Sequence, residues 1–315
     1  VNILFTNVGR RTYLLKYALE IAAINPELHL FVSDTSNLTA AFHVDPRIHT
    51  LITPFVSSDP EHYLKTLLDL CAKNKIDLVL PLMDFELPIL SEHVDSFLQR
   101  GTKIIVSNPE LVEACLDKQK TYVFCKENNI PSPKILSATY IKRFPVIVKR
   151  KLGSGSVGLC VANTQEGLLN NYDEAVDIVQ EYVSGQEYGM DILNDLNGNY
   201  IHSCTKKKIG MRAGETDKAE SFFSEKYETW AREISSATKH IGNMDVDFIE
   251  TESGEIFFID FNPRFGGGYP FTHISGFNYL AAIIKMVSGD KVSFDEVIPN
   301  YCIGLKGIEV FYGHR

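Results

Sequence analysis

The stretch Phe257–Tyr269, FFIDFNPRFGGGY, decides how this chain is read. It begins as an apolar strand, Ile256 to Phe261, but Asp260 sits inside that strand and Asn262 follows two positions later. Just upstream lies a second strand-like run, MDVDFIE (Met244–Glu250), separated from the first by TESGE. With Ser253-Gly254 as a two-residue hairpin loop, Asp247 falls directly across from Asp260. Asn262 then projects from the same face, because strand side chains alternate. Opposed like charges ~5 Å apart repel by about 3 kcal/mol at an effective dielectric of ~20. A divalent cation removes that penalty. Three oxygen donors with no His or Cys among them suit magnesium or manganese rather than zinc. The alternative is a set of hydrogen-bonded structural acids, or acids that face solvent.

Magnesium held by few protein ligands usually shares its shell with phosphates, so phosphate-binding elements are expected elsewhere in the chain. FPVIVKRKLGSGSVGL (Phe144–Leu159) offers one: a strand carrying Lys149, followed by Gly153, Ser154, Gly155, Ser156, Val157 and Gly158. Small residues let backbone N–H groups close over anionic oxygens while a lysine adds point charge. No Gly-Lys-Ser/Thr follows, so this is not a Walker A loop. A third element, IVQEYVSGQEYGMDI (Ile178–Ile192), is an apolar strand running into Gly185 and Glu187. Its backbone could meet an adenine edge, and Glu187 could accept from ribose hydroxyls.

In this order and at these separations, the three elements resemble the ATP-grasp superfamily over about residues 113–290. The nearest likeness is to one synthetase half of the carbamoyl-phosphate synthase large subunit. The resemblance implies nucleotide contacts from Lys118 and Lys149, from the Gly153–Ser156 loop, and from an adenine hinge at Gln180, Glu181 and Val183. At that hinge Glu181 and Val183 are expected to act through backbone groups. The resemblance also implies a ribose contact from Glu187 and metal ligation by Asp247, Asp260 and Asn262. Arg264 in NPR would lie near the transferred phosphate, and Arg212 in IGMRAGETD is a candidate contact between phosphate and acceptor. Where relatives more often carry Gln or Glu, this chain has Asp247 and Asp260, which leaves the number of metal ions open. The implied activity is ATP-dependent ligation of a small-molecule carboxylate to an amine through an acyl phosphate, with ATP and Mg2+ (or Mn2+). A carboxylate or carbamate kinase, and an ATP-binding regulatory module without ligase activity, are the rival readings. Many relatives are homodimers. A carbamoyl-phosphate synthase large subunit has two such halves, and this chain has room for one.

The first ~110 residues read differently. VNILFTN, LHLFVSD, IDLVLPL and TKIIVS are strands alternating with the helical patterns RRTYLLKYALEIAA and DPEHYLKTLLDLCAKN. That alternation predicts a parallel sheet covered by helices, with ligands beyond the strands' carboxyl ends. Arg10, Arg11, Asp84 and Glu86 lie at those ends. Gly9 stands alone, so the dinucleotide fingerprint is missing. The expected fold class is α/β plus α+β: a Rossmann-like domain (1–112) followed by an ATP-grasp domain (113–315). The latter divides into a small lid subdomain (about 134–183) and a C-terminal subdomain (about 184–315). In the second region a helix from Glu225 to Ile241 and another near Tyr279–Val287 are expected.

The bulk composition agrees. The chain has 315 residues, 44% of them hydrophobic, and a net charge of -9. That balance disfavours a general nucleic-acid binder, which needs a basic field. No apolar run approaches ~20 residues, which disfavours a membrane partner. Six scattered cysteines without CxxC spacing suggest reduced thiols and a cytoplasmic setting.

Overall fold

The computed structural model describes residues 1–153 and 158–312. Ser154, Gly155 and Ser156 of the expected phosphate loop lie outside them. Five strands form the first sheet: β1 (Asn2–Thr6), β2 (His29–Asp34), β3 (His49–Ile52), β4 (Leu78–Pro81) and β5 (Lys103–Ile104). Their order is β3-β2-β1-β4-β5, and every pairing is parallel. Side-chain alternation along β1 sends Ile3 and Phe5 to one core and Leu4 to another. Helix α1 (Thr12–Ile24) covers the first face through Leu14, Leu15 and Ala18, and α2 (Pro60–Asn74) covers the second through Tyr63, Leu64 and Leu67. The boundaries of α2 follow local chemistry. Asp59 caps its N-terminus by accepting from the His62 N–H at 3.0 Å, Pro60 opens it, and Lys75 ends it at φ 50°.

Strand order reverses between β1 and β4, so the loops after these two strands diverge and leave a crevice at the sheet's carboxyl edge. Helices α3 (Leu87–Ser91), α4 (Val94–Leu98), α5 (Pro109–Leu116) and α6 (Lys118–Glu127) lead out of this region. A four-stranded antiparallel sheet comes next, from β6 (Ile135–Leu136), β7 (Val146–Arg150), β8 (Cys160–Ala162) and β9 (Asp177–Glu181), in the order β6-β9-β7-β8. Helix α7 (Gln165–Asn171) packs against it, with Leu168 in the small core.

The largest sheet is antiparallel: β10 (Gln186–Asn194), β11 (Tyr200–Arg212), β12 (Glu215–Phe222), β13 (Gly242–Glu250), β14 (Ile256–Asn262) and β15 (Ile303–Leu305), in the order β14-β13-β10-β11-β12-β15. Its inner face buries Met190, Ile192, Met244, Val246 and Phe248 against Tyr227, Ala231 and Ile234 of α8 (Glu225–Thr238). Helix α8 stops at Thr238, three residues short of Ile241, because Lys239 takes up a left-handed conformation (φ 46°). Helix α10 (Tyr279–Val287) spans the residues expected of it, and α9 (Tyr269–Ile274) precedes it. These two helices pack into the same core as β1 and α1: Ile3, Phe5 and Leu14 share a cluster with Tyr269, Tyr279 and Ile283. The first and last parts of the chain are therefore joined by apolar packing as well as by linkers.

Candidate active site

The outer face of the large sheet carries charge. Period-two alternation places Glu187, Gly189 and Asp191 of β10, Lys206 and Lys208 of β11, and Asp245 and Asp247 of β13 on that face. Asp247 does oppose Asp260, but not through the expected turn. The hairpin loop runs from Thr251 to Glu255, closed by the Thr251 N–H donating to the Glu255 carbonyl at 2.9 Å. That longer loop shifts the register, and a bulge beyond Phe248 shifts it back. The same register pairs Asp245 with Asn262. Asp245, two positions before Asp247, is the site acid that the sequence reading missed.

The repulsion inferred from opposed carboxylates has a second answer in the structure: each acid holds a lysine. Asp247 Oδ2 lies 2.8 Å from Lys208 Nζ, which also donates to Glu187 Oε1 at 2.7 Å. Asp260 Oδ1 accepts from Lys118 Nζ at 3.2 Å. Lys206, 1% exposed, pairs with Asp191, and Asp191 also accepts from Thr272. Lys206 and Lys208 in TKKKIG alternate just as the acids do, a signal legible in the sequence but not used. Burial disfavours charge on both lysines, yet the neighbouring carboxylates outweigh it and hold them above the ordinary lysine value. Asp245 is less well compensated. Burial, then Asp247 and Asp191, push it up to about 7. Asp247 is raised as well, burial again outweighing Lys208.

Glycines let these groups approach. A side chain at Gly266 would place its Cβ 1.9 Å from Asp245 Oδ2, and one at Gly189 would touch Asp247 and Lys208.

The crevice of the first sheet meets this face. Arg264 donates from Nε and Nη2 to the two carboxylate oxygens of Asp84, at 2.8 and 2.7 Å, and from Nη2 to Asn262 Oδ1 at 3.0 Å. Its Nη1 donates to the Phe265 carbonyl at 3.2 Å. Glu86, expected on the rim, is instead fully buried beneath the loop. It accepts from Tyr63, from Asn7 Nδ2 at 2.8 Å, and from the Leu82 and Met83 N–H groups, each at 3.0 Å. It therefore ties the loop after β1 to the loop after β4. Burial raises its carboxyl above the usual range.

Together these surfaces enclose a cavity of about 390 Å³. Of the residues singled out from sequence, Lys118, Lys149, Gly153, Glu187, Asp247, Asp260, Asn262 and Arg264 line it. Lys149 is pushed down to about 8, first by burial and then by Lys118. Arg10, Arg11 and Asp84 line it too, whereas Gln180, Glu181, Val183 and Arg212 lie outside the lining. Gln180 donates to the Pro133 carbonyl at 2.8 Å, and Glu181 Oε1 accepts from the Lys134 N–H at 2.9 Å; both side chains fasten β9 to the segment before β6. Val183, just past β9, is half-buried and outside the cavity lining. Arg212 pairs with Asp217 and donates to the Lys306 carbonyl at 3.4 Å, while its neighbours Met211 and Ala213 to Thr216 form the wall. The segment IGMRAGETD is thus a β-hairpin tip, turning at Ala213 and Gly214, both with positive φ.

Residues 115–268 match the family model described as ATP-grasp domain, and residues 3–105 match that of the PylC-like N-terminal domain. The chain carries an ATP-grasp domain. Among curated relatives, the 2-oxoglutarate carboxylase small subunit of Hydrogenobacter thermophilus is 21% identical over 63% of this chain and 48% of its own length. The carbamoyl phosphate synthase large chain of Campylobacter jejuni is 24% identical over 74% of this chain and 25% of its own. This chain thus spans about half or less of those relatives. Among solved structures, the biotin carboxylase–β,γ-ATP complex of Campylobacter jejuni superposes with a TM-score of 0.73 at 18% identity, covering 95% of this chain and 73% of that one. The L-amino acid ligase of Bacillus licheniformis gives 0.70 at 14% identity, over 95% and 77%. At these identities the structural likeness speaks for the ATP-grasp fold. No helix among the described residues is long and apolar enough to cross a membrane.

Proposed function

We propose that this protein is an ATP-dependent carboxylate–amine ligase working through an acyl phosphate. One observation carries the reading. A single cavity gathers Lys118, Lys149, Lys208 and Arg264 around the opposed carboxylates of Asp247 and Asp260, at the crevice of the first sheet. Such a site can hold a triphosphate and compensate charge that moves during phosphoryl transfer, which needs alignment and neutralisation more than a protein nucleophile. The Hydrogenobacter biotin carboxylase domain, a structural neighbour at a TM-score of 0.71, is a dimer complexed with MgADP and bicarbonate. That supports ATP as substrate and is consistent with a homodimer.

The donor chemistry fits a hard divalent ion. Asp247 and Asp260 each bind lysine through one carboxylate oxygen, and crowding of Asp245 by Asp247 and Asp191 leaves negative charge only partly matched. Asn262 already accepts from Arg264, so it joins a metal shell by sharing that oxygen. No group of three His, Cys, Asp or Glu among the described residues is arranged to hold a metal. Phosphate oxygens and water would complete the shell, as is usual for magnesium. A magnesium or manganese ion on Asp247, Asp260 and Asn262 would supply Lewis-acid neutralisation of phosphate oxygens.

In the first step a carboxylate oxygen attacks the γ-phosphorus of ATP, the bond to the β-phosphate oxygen breaks, and ADP leaves. In the second, the amine nitrogen attacks the acyl carbon, the C–O bond to phosphate breaks, and phosphate departs as the amine loses its proton to solvent. Lys118 and Lys149 would bind the phosphates, and Glu187 a ribose hydroxyl. Arg264, with every nitrogen already engaged, acts as a fixed positive charge and needs no reorganisation during the reaction.

The test is ADP release from MgATP across a panel of small carboxylates, with and without amines. A ligase requires both partners for sustained turnover; ADP formed with carboxylate alone indicates a kinase. Nucleotide binding with no ADP under any condition indicates a binding module. Undiminished turnover by Asp260→Ala would remove the metal assignment.

A further inference from the structure

The end of the cavity away from Lys118 and Lys149 has its own charge pattern. Its wall is built by Gly9, Arg10 and Arg11 after β1, by the hairpin tip Ala213–Thr216, and by Gly267 and Gly268. Arg10 reaches across to the tip, donating to the Ala213 carbonyl at 3.2 Å. Ala213 holds φ 49°, a conformation costly for a residue with a Cβ. The tip is thus held in place by its contact with the first sheet.

The charged groups here are loosely satisfied. Glu215 Oε1 lies 3.7 Å from Arg10 Nη2, and Glu215 Oε2 lies 3.7 Å from Lys306 Nζ, both beyond hydrogen-bond reach. Arg11 donates from Nη1 to the Leu82 carbonyl at 2.8 Å, but its Nε, buried in the structure, has no acceptor among the described residues. Lys306 is held beside the wall by the Gly267 carbonyl and the rings of Tyr13 and Phe271. Arg10, Arg11 and Lys306 lie near Glu215; of the other nearby acids, Asp245 also acts on Lys306, and Asp217 is taken by Arg212.

We infer that this end of the cavity binds the zwitterionic head of an amino acid, its carboxylate on Arg10 and Arg11 and its ammonium on Glu215. A plain amine would meet three cations and two acids, Glu215 and Asp245. A dicarboxylate would bring a second anion against Glu215. A ligand with one charge of each sign can bridge these loosely paired groups, its carboxylate beside Arg10 and its ammonium beside Glu215. The assignment rests on the ligase reading, since it names the class of one of the two substrates.

Binding is measured by calorimetry on the intact chain, with each of the standard amino acids as probe and MgADP present. MgADP affinity is recorded separately, so that failure of the nucleotide site is distinguishable from failure of this one. At least one amino acid should bind, and its deaminated acid and its decarboxylated amine should each bind at least ~10-fold more weakly, the loss expected from leaving one charge in the site unmatched. Glu215→Gln should weaken the amino acid ~10-fold or more without weakening the deaminated acid, and Glu215→Asp should recover part of the loss. No binding by any amino acid, or equal binding by the singly charged analogues, would overturn the assignment. So would an unchanged amino-acid affinity in a folded Glu215→Gln protein.

Discussion

Asp84 grips Arg264 through both oxygens, at 2.8 and 2.7 Å, across 180 residues of sequence. Both side chains are nearly buried, at 9% and 6% exposure. The pair fastens the loop after β4 to the strand end that carries Asn262, so the crevice of the first sheet and the charged face of the third cannot shift independently. Burial alone would disfavour the guanidinium's charge, and Asp84 more than restores it.

Replacing Asp84 by Ala leaves a buried arginine without its counter-ion. The expected loss is about 3–5 kcal/mol of folding stability, because the desolvation cost stays while the attraction goes. Denaturant unfolding measures it. A loss under about 1 kcal/mol would show that water or another acid reaches Arg264.

Gly266 and Gly189 make contrasting predictions. At Gly266 an added Cβ meets Asp245 at Oδ2 (1.9 Å), Cγ (2.2 Å) and Cβ (2.6 Å), so turning the carboxylate does not relieve the clash. At Gly189 the nearest atoms are Asp247 Oδ1 at 3.4 Å and Lys208 Cε at 3.5 Å, ordinary contact. Gly266→Ala should therefore cost about 1–3 kcal/mol by overpacking, and Gly189→Ala under about 1 kcal/mol. Parallel melts decide; equal effects would count against this packing.

Lys149→Met keeps the length of the side chain but removes its charge. Nucleotide affinity should fall about tenfold or more, the scale of a charged hydrogen bond to phosphate. Fluorescent-nucleotide titration reads this directly, and undiminished affinity would remove Lys149 from the phosphate site.

His240 is at 0% exposure and outside the cavity lining, with Nε2 facing the Ile192 carbonyl at 3.0 Å. A carbonyl only accepts, so Nε2 carries the proton in the neutral ring. Burial pushes the ring down to about 4 from the ordinary 6.5. The unfolded chain then binds a proton first as pH falls. Its contribution to stability is whole above about 6.5 and declines by about 1.4 kcal/mol per pH unit between 6.5 and 4. Imidazole NMR shifts should show the ring still neutral at about pH 5.

The sequence by itself determined the alternation of strand and helix up to residue ~110, the antiparallel character of the second region, and the family motif around Asp260, Asn262 and Arg264. Each of these rests on local periodicity or on a contiguous motif, which one chain displays without folding. The opposition of Asp247 and Asp260 was legible too, though the turn assumed for it was two residues where five are used, and an unforeseen bulge restored the register. Only tertiary structure decided that Lys208 and Lys118 would neutralise those acids, that Asp84 would hold Arg264, and that Gln180 and Glu181 would turn onto the segment at Pro133 and Lys134. Lys118 and Asp260 lie 142 residues apart, and Gln180 and Pro133 lie 47 apart. Lys208 and Asp247 come from strands that β10 separates in the sheet. Charge compensation depends on distance in space, and no periodicity along the chain records it.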